Sequence, residues 1–277
     1  MRHGFLPNGE QAGGAMDLGL KDRAALIIGG SGGIGRAAAS ALAAEGARVA
    51  LAGRSRDWLE EAAGEIETRT GQRPMIYTAD CSHLPEATRV VHDAVGALGR
   101  LDILVNAIGA AKGGRLEDLS AEDWEWSLSS KLLGQIWCCR AALPKLREGK
   151  GGCIVNVIGH RGKQPMGGAL PAGVANAGLI NFTVALAQDE APHGVRVVGI
   201  NPAPVETRRL REVFETEARV HGLTVEEAGR RWLAHVPLGR AARAEEIGDV
   251  IVFLSSARAS FITGTVVHVD GGATRSL

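Results

Sequence analysis

Two stretches near the start of this 277-residue chain have residue types and spacing suited to holding a phosphorylated molecule. GGSGGIGR, residues 29–36, directly follows the apolar run AALII and opens a stretch of helical composition, GRAAASALAAEG. Glycines let a backbone come close to a pyrophosphate, and the free N–H groups of a helix N-terminus carry partial positive charge. Gly29, Ser31, Gly33, Ile34 and Gly35 are therefore expected to hold a dinucleotide cofactor. A tight strand-to-helix turn also needs glycine, so it is position that lifts the motif. The next apolar run ends in ALAGRSRD, with Gly53, Arg54 and Ser55 at its edge. An acid there would take the ribose hydroxyls of NAD(H), whereas an arginine pairs with a 2′-phosphate. NADP(H) is expected over NAD(H), with solvated loop charge as the other reading of Arg54 and Arg56.

The elements that must position these residues alternate along the chain. Apolar runs such as AALIIGG, ARVALAG, PMIYTAD, LDILVNAIG, GCIVNVIG, VRVVGINPA and GTVVHVDGG are separated by stretches of helical composition. One of these, SAEDWEWSLSSKLLGQIWCCRAALPKL, reads as a single long helix, with Ser120 as N-cap and Asp123 in the capping-box place. Continuous apolar strands between helices mean a parallel sheet covered on both faces. The expected fold is α/β, a doubly wound Rossmann sheet of about seven strands, with ligands beyond the carboxyl ends of the strands.

Composition narrows the function classes. Lysine plus arginine and aspartate plus glutamate both number 31, so charge gives no case for a nucleic-acid partner or an anionic membrane surface. No apolar run reads as long enough to span a bilayer, which takes roughly 18–20 residues. The first fifteen residues lack an apolar signal core, and residues 1–18 are expected to be a disordered tail, with Met16 as a candidate natural start. Residues 19–277 are expected to form one domain. Cys81, Cys138, Cys139 and Cys153 fit no zinc spacing and read as reduced thiols in a cytoplasmic protein. The histidines are scattered and support no metal site.

Further motifs stand in the right order to be recognised. Asp80 and Cys81 follow the third apolar run, NAIG (106–109, with Asn106 and Gly109) follows the fourth, and INPAPVET (200–207, with Pro202, Val205 and Thr207) follows the sixth. The chain resembles the short-chain dehydrogenase/reductase family in its single-domain form, from about residue 20 to residue 272. The resemblance implies that Asp80 contacts the adenine ring and that Thr207 holds the nicotinamide carboxamide. It also implies a substrate lid over 207–238 and a homodimer or homotetramer built on the long helices and the C-terminal strand.

The same resemblance implies four catalytic residues, and this chain departs at each place. The serine place falls on Gly159, the tyrosine place on Ala172, the lysine place on Asn176 and the asparagine place on Lys131. The chain's one tyrosine, Tyr77, lies in the third apolar run and no shift of register brings it to the fifth helix. Lys131 and Asn176 look exchanged, and a lysine there could donate a proton or stabilise an alkoxide. His160, which titrates near neutrality, follows the vacant serine place, with Arg161 and Lys163 beside it. The favoured reading is an NADPH-using reductase of a small carbonyl, enone or imine substrate with an atypical proton donor, Lys131 or His160. A nucleotide-binding pseudoenzyme and a non-redox lyase or isomerase remain open alternatives.

Overall fold

The computed structural model describes residues 16–149 and 151–275. Most of the tail anticipated over residues 1–18 lies outside the described residues. The first half runs β1 (Ala24–Ile28), α1 (Gly33–Ala44), β2 (Arg48–Gly53), α2 (Arg56–Thr70), β3 (Met75–Thr78), α3 (Leu84–Leu98), β4 (Ile103–Asn106), α4 (Ala121–Leu128) and α5 (Gly134–Glu148). The second half runs β5 (Cys153–Val157), α6 (Leu170–Glu190), β6 (Arg196–Pro202), β7 (Val205–Glu206), α7 (Arg208–His221), α8 (Val225–Leu233), β8 (Ala242–Arg243), α9 (Ala244–Ser255) and β9 (Val266–Val269).

Seven strands form one parallel sheet in the order β3-β2-β1-β4-β5-β6-β9, as the alternating apolar runs predict. All five residues of β1, AALII, are buried because helices cover both faces of the centre. On one face α1, α2 and α9 bury Ile27, Leu51, Leu59 and Ile251 against the sheet, and on the other α3, α5 and α6 bury Leu26, Leu104, Val90 and Ile154. Each such side chain contributes about 1.5–3 kcal/mol by leaving water. The strand order reverses direction between β1 and β4, and this opens a crevice at their carboxyl ends.

The long fourth helix departs from its sequence reading. The capping box at Ser120 and Asp123 starts α4 as expected. Helix α4 then gives way at Ser129–Leu133 to a π-turn, closed by the Gly134 amide donating to the Ser129 carbonyl, before α5 resumes. The turn absorbs one extra residue and aims Lys131 off the ordinary helical face. A second correction concerns hydropathy. The helical run Leu170–His193 is long and apolar enough, by length and composition, to cross a membrane. It lies on the sheet instead, burying Ala175, Leu179, Thr183 and Ala187. Small residues scattered through it let it pack closely, and a third of the residues in its most apolar window are fully buried while others, such as Ile180 and Leu186, are partly covered.

Candidate active site

The carboxyl ends of β1, β2, β4, β5 and β6 surround one crevice, and the expected site residues sit along it. At β1, the backbone folds so tightly that a Cβ on Gly35 would strike the Gly29 carbonyl. A Cβ on Gly33 would strike the Thr207 methyl, so the glycine loop and the start of α7 touch. Helix α1 begins at Gly32 with no side-chain cap and no acid in its first turn. Helices α2, α4, α7 and α8 begin under capping side chains, from Ser55, Ser120, Thr207 and Thr224, while α3 and α6 share the uncapped start but have no glycine run such as GGSGGIG before it. The leading amides of α1, near Gly33 and Ile34, are thus left for an anion such as a pyrophosphate.

At β2, Ser31 Oγ lies 3.2 Å from where a Cβ on Gly53 would be, and Arg54 is exposed beside it. Ser55 is partly engaged, since its hydroxyl accepts the Trp58 amide at 3.4 Å. Burial would raise the Asp80 carboxyl, but hydrogen bonds from the Ser82 hydroxyl and amide, with Arg54 nearby, hold it below the usual carboxylate range. Asp80 is therefore an anionic acceptor at neutral pH. Cys81 is buried, and its carbonyl lies 3.1 Å from where a Cβ on Gly134 would be. Tyr77 belongs to β3, the edge strand at the far side from β5, and its hydroxyl donates to the Asp93 carbonyl.

At β4, Asn106 points inward. Its amide donates to Asn156 Oδ1 at 2.9 Å, and Asn156 donates on to Thr183 Oγ1 at 3.0 Å. The loop beyond is pinned to the broken helix. Ser130 Oγ donates to the Ala110 carbonyl at 2.8 Å, Gln135 donates to the Ile108 carbonyl at 3.1 Å, and the Lys112 amide donates to Ser127 Oγ at 3.0 Å. Gly109 makes this fit possible, because a Cβ there would lie 2.7 Å from the Lys131 Cα. Lys131 is held against this loop on the π-turn, which also packs on α6. Lys131 is only partly buried and its Nζ makes no hydrogen bond or ion pair among the described residues, and crowding by the surrounding protein with the Arg209 charge brings its pKa from 10.5 down to about 8.

At β5, Gly159 has φ +132°, a conformation that residues with a Cβ rarely adopt. Its amide donates to Asn201 Oδ1 at 3.3 Å. A Cβ on Gly159 would lie 3.0 Å from the Asn176 amide nitrogen. Asn176 is buried on α6, and its Oδ1 has no partner among the described residues. Ala172, in the first turn of α6, brings no polar atom. His160 is buried, and its Nδ1–H donates to the Pro202 carbonyl at 3.3 Å. Burial and the Arg161 charge push its pKa below the usual histidine value. The neutral ring therefore presents an unprotonated Nε2, which is an acceptor.

At β6, Val205 is buried in the short β7 pairing with β8. Thr207 Oγ1 caps α7 by accepting the Leu210 amide at 3.4 Å. Beyond it, Arg208 lies 3.5 Å over the Trp58 ring, joining α7 to α2 across the crevice. Several of these groups escaped sequence reasoning. Asn201 lies within INPAPVET and Trp232 within the lid expected over 207–238, but no local motif marks His235 or Trp58, which meet the site only through the fold. Asn156 carries a signal of its own, as the one polar residue inside the apolar run CIVNV. No cluster of three metal-ligating side chains occurs among the described residues.

The family model described as enoyl-(acyl carrier protein) reductase, adh_short_C2, matches residues 29–274. The chain belongs to the short-chain dehydrogenase/reductase family. Other members resemble it over almost their whole length. Meso-2,3-butanediol dehydrogenase of Serratia marcescens is 33% identical over 92% of this chain and 96% of its own. The 3-oxoacyl-(acyl-carrier-protein) reductase of Aquifex aeolicus is 30% identical over 93% of this chain and 99% of its own. The crystal structure of L-sorbose reductase from Gluconobacter frateurii, complexed with NADPH and L-sorbose, superposes with a TM-score of 0.90 at 29% identity, covering 95% of this chain and 100% of that one.

Proposed function

We propose that this protein is an NADPH-dependent reductase of a small carbonyl, enone or imine substrate, in which Lys131 supplies the proton that a tyrosine supplies in the family's usual chemistry. The observation that carries this reading is Lys131 held on the π-turn against Gly109 of the loop after β4, with its pKa lowered to about 8. The groups around the crevice fit a dinucleotide. The uncapped start of α1 suits a pyrophosphate, and the unpartnered Asn176 Oδ1 suits a ribose hydroxyl donor. Arg54, with Ser31 and Ser55 close by, suits a 2′-phosphate better than a free ribose hydroxyl. Asp80 suits the adenine amine.

When bound, the nicotinamide supplies a hydride to the electrophilic carbon of the substrate. Charge then gathers on the former carbonyl oxygen. Lys131 stabilises this oxygen electrostatically and transfers a proton to it, leaving a neutral amine that solvent reprotonates. A pKa near 8 keeps the ammonium largely protonated at neutral pH while making the transfer easier than from an ordinary lysine. His160 is the weaker candidate, since its one ring proton is engaged with the Pro202 carbonyl. Helices α7 and α8, within 207–238, act as the substrate lid. The partly covered face of α6 fits burial against a second copy, giving a dimer or tetramer.

The test is NADPH oxidation against a panel of carbonyl, enone and imine substrates, with cofactor affinity measured in parallel. Lys131→Met is expected to lower turnover by about 10²–10⁴-fold with NADPH affinity nearly unchanged. His160→Ala is expected to have a smaller effect. A protein that binds NADPH yet reduces nothing across the panel, or a Lys131→Met variant with full activity, overturns the reading.

A further inference from the structure

Resting on the reductase reading, we infer that the substrate carries an oxyanionic group, a carboxylate or phosphate, and that Arg161 receives it. Arg161 stands two residues beyond Gly159, at the carboxyl end of β5, on the short turn His160–Gly162. Its guanidinium lies 4.9 Å over the ring of Trp232, on α8. Trp232 meets His235 edge-on at 6.2 Å, and His235 stacks on His160 at 6.1 Å. The four side chains make a continuous wall from the end of β5 to the lid. This wall fixes the guanidinium plane, which is what two-pronged recognition of an oxyanion requires.

The charges around Arg161 leave it short of a counter-ion. Among the described residues no carboxylate lies within ion-pair distance of Arg161 or of Lys131. Glu217, on α7, acts on Arg161 from farther away, and its carboxylate is already 3.3 Å from His221. Asp270, which faces His160, is occupied by the amides of Gly272 and Thr274. Against these stand Lys131, Arg161 and Arg209, with both histidines neutral. Burial weakens the hold of Arg161 on its own proton, as expected of a cation kept from water without a partner. Other buried carboxylates of the chain show the alternative. Asp102 takes both Arg23 and Arg100, and Glu190 takes Arg147. Arg36, another partly buried arginine, has Glu61 and Glu65 as partners, whereas Arg161 has no carboxylate at that distance.

The experiment uses matched probes that differ in charge. Acetoacetate with methyl acetoacetate, pyruvate with methyl pyruvate, and dihydroxyacetone phosphate with dihydroxyacetone are titrated calorimetrically into the protein saturated with NADP⁺, where no hydride is available. In at least one pair the anion is expected to bind about 10- to 100-fold more tightly, the scale of a charge-assisted hydrogen bond. Which pair responds separates carboxylate from phosphate. Arg161→Gln should remove the difference while NADPH affinity holds, and Arg161→Lys should retain part of it. Neutral probes binding as well as their anions, no anion binding at millimolar concentration, or Arg161→Gln weakening both members alike would each overturn the inference. The same pairs are then offered with NADPH. Anions that bind through Arg161 but are not reduced leave this inference standing and remove the reductase reading.

Discussion

Replacing Lys131 by methionine should make the protein more stable while disabling it, and the size of the gain follows from its surroundings. Burial first, and Arg209 second, lower the Lys131 pKa from 10.5 to about 8. At about 1.4 kcal/mol for each tenfold change in proton affinity, the folded state carries at most roughly 3 kcal/mol of penalty at neutral pH, reduced by the water that reaches this partly open side chain. The direction is fixed by linkage. Below pH 8 the lysine is charged in both states, and folding strips water from the charge, so the penalty is full. Above pH 8 the folded state sheds its proton before the unfolded state does, and the penalty fades towards pH 10.5. Methionine keeps an unbranched stem of similar length and carries no charge. Denaturant unfolding should therefore show Lys131→Met more stable than the parent by about 1–3 kcal/mol at pH 7, with the difference roughly halved at pH 9.5. In the parent, turnover should fall as pH rises through about 8, because the neutral amine has no proton to give. A variant no more stable than the parent at pH 7, with no change of the difference with pH, would show that the ammonium is well solvated. The case for an activated donor would then fail with it.

Calorimetry should find NADPH bound more tightly than NADH, and Arg54→Ala should erase most of that preference, about 1–3 kcal/mol for a lost charge-assisted contact. Equal affinities in the parent would refute the role of Arg54. Light scattering at micromolar concentration should give a dimer or tetramer, because α6 leaves Val174 exposed and several apolar residues, Phe182 and Leu186 among them, only partly covered, and a monomer mass would count against this. Gly159→Ser should destabilise the fold by about 1–3 kcal/mol, since a side chain is strained at φ +132° and would crowd Asn176. A neutral effect in thermal or denaturant unfolding would mean that this backbone relaxes freely.

The sheet was legible because each strand is an apolar run between helical stretches, as in AALII and CIVNV, where all five residues are buried. The capping box at Ser120 was legible for the same local reason. The π-turn was not. SSKLL has ordinary helical composition, and only the backbone contact between Gly109 and Lys131, far apart in sequence, requires the extra residue there. The apolar character of α6 was also underestimated, because its small residues dilute any single run without preventing close packing. For the site, residue types could be read, but their surroundings could not. That Arg161 would meet Trp232, or that Nδ1 of His160 would turn to Pro202, depends on pairings between distant segments. Such pairings leave no period or spacing in the chain.

The same long-range contacts bear on the proposed departure of this site from the chemistry that the family resemblance implies. Were the departure limited to side chains, restoring a serine, tyrosine, lysine and asparagine would need only space. The backbone argues otherwise. Gly159 adopts a conformation closed to serine, its missing Cβ makes room for the Asn176 amide, and Gly162 lies so close to α6 that a Cβ would come 2.6 Å from the Asn176 carbonyl carbon. The loop after β5 has settled onto α6 in a way that a larger lysine at position 176 would oppose. On the other wall, Gly109 admits Lys131 where any side chain would push it away. Glycine on one wall and asparagine on the other thus fit a lysine-bearing site as a set. Because these fits are coupled, single restorations should each cost stability, and their effects should not add. If unfolding of the single and combined restorations shows simple additivity, these contacts are independent and the coupling argued here is wrong.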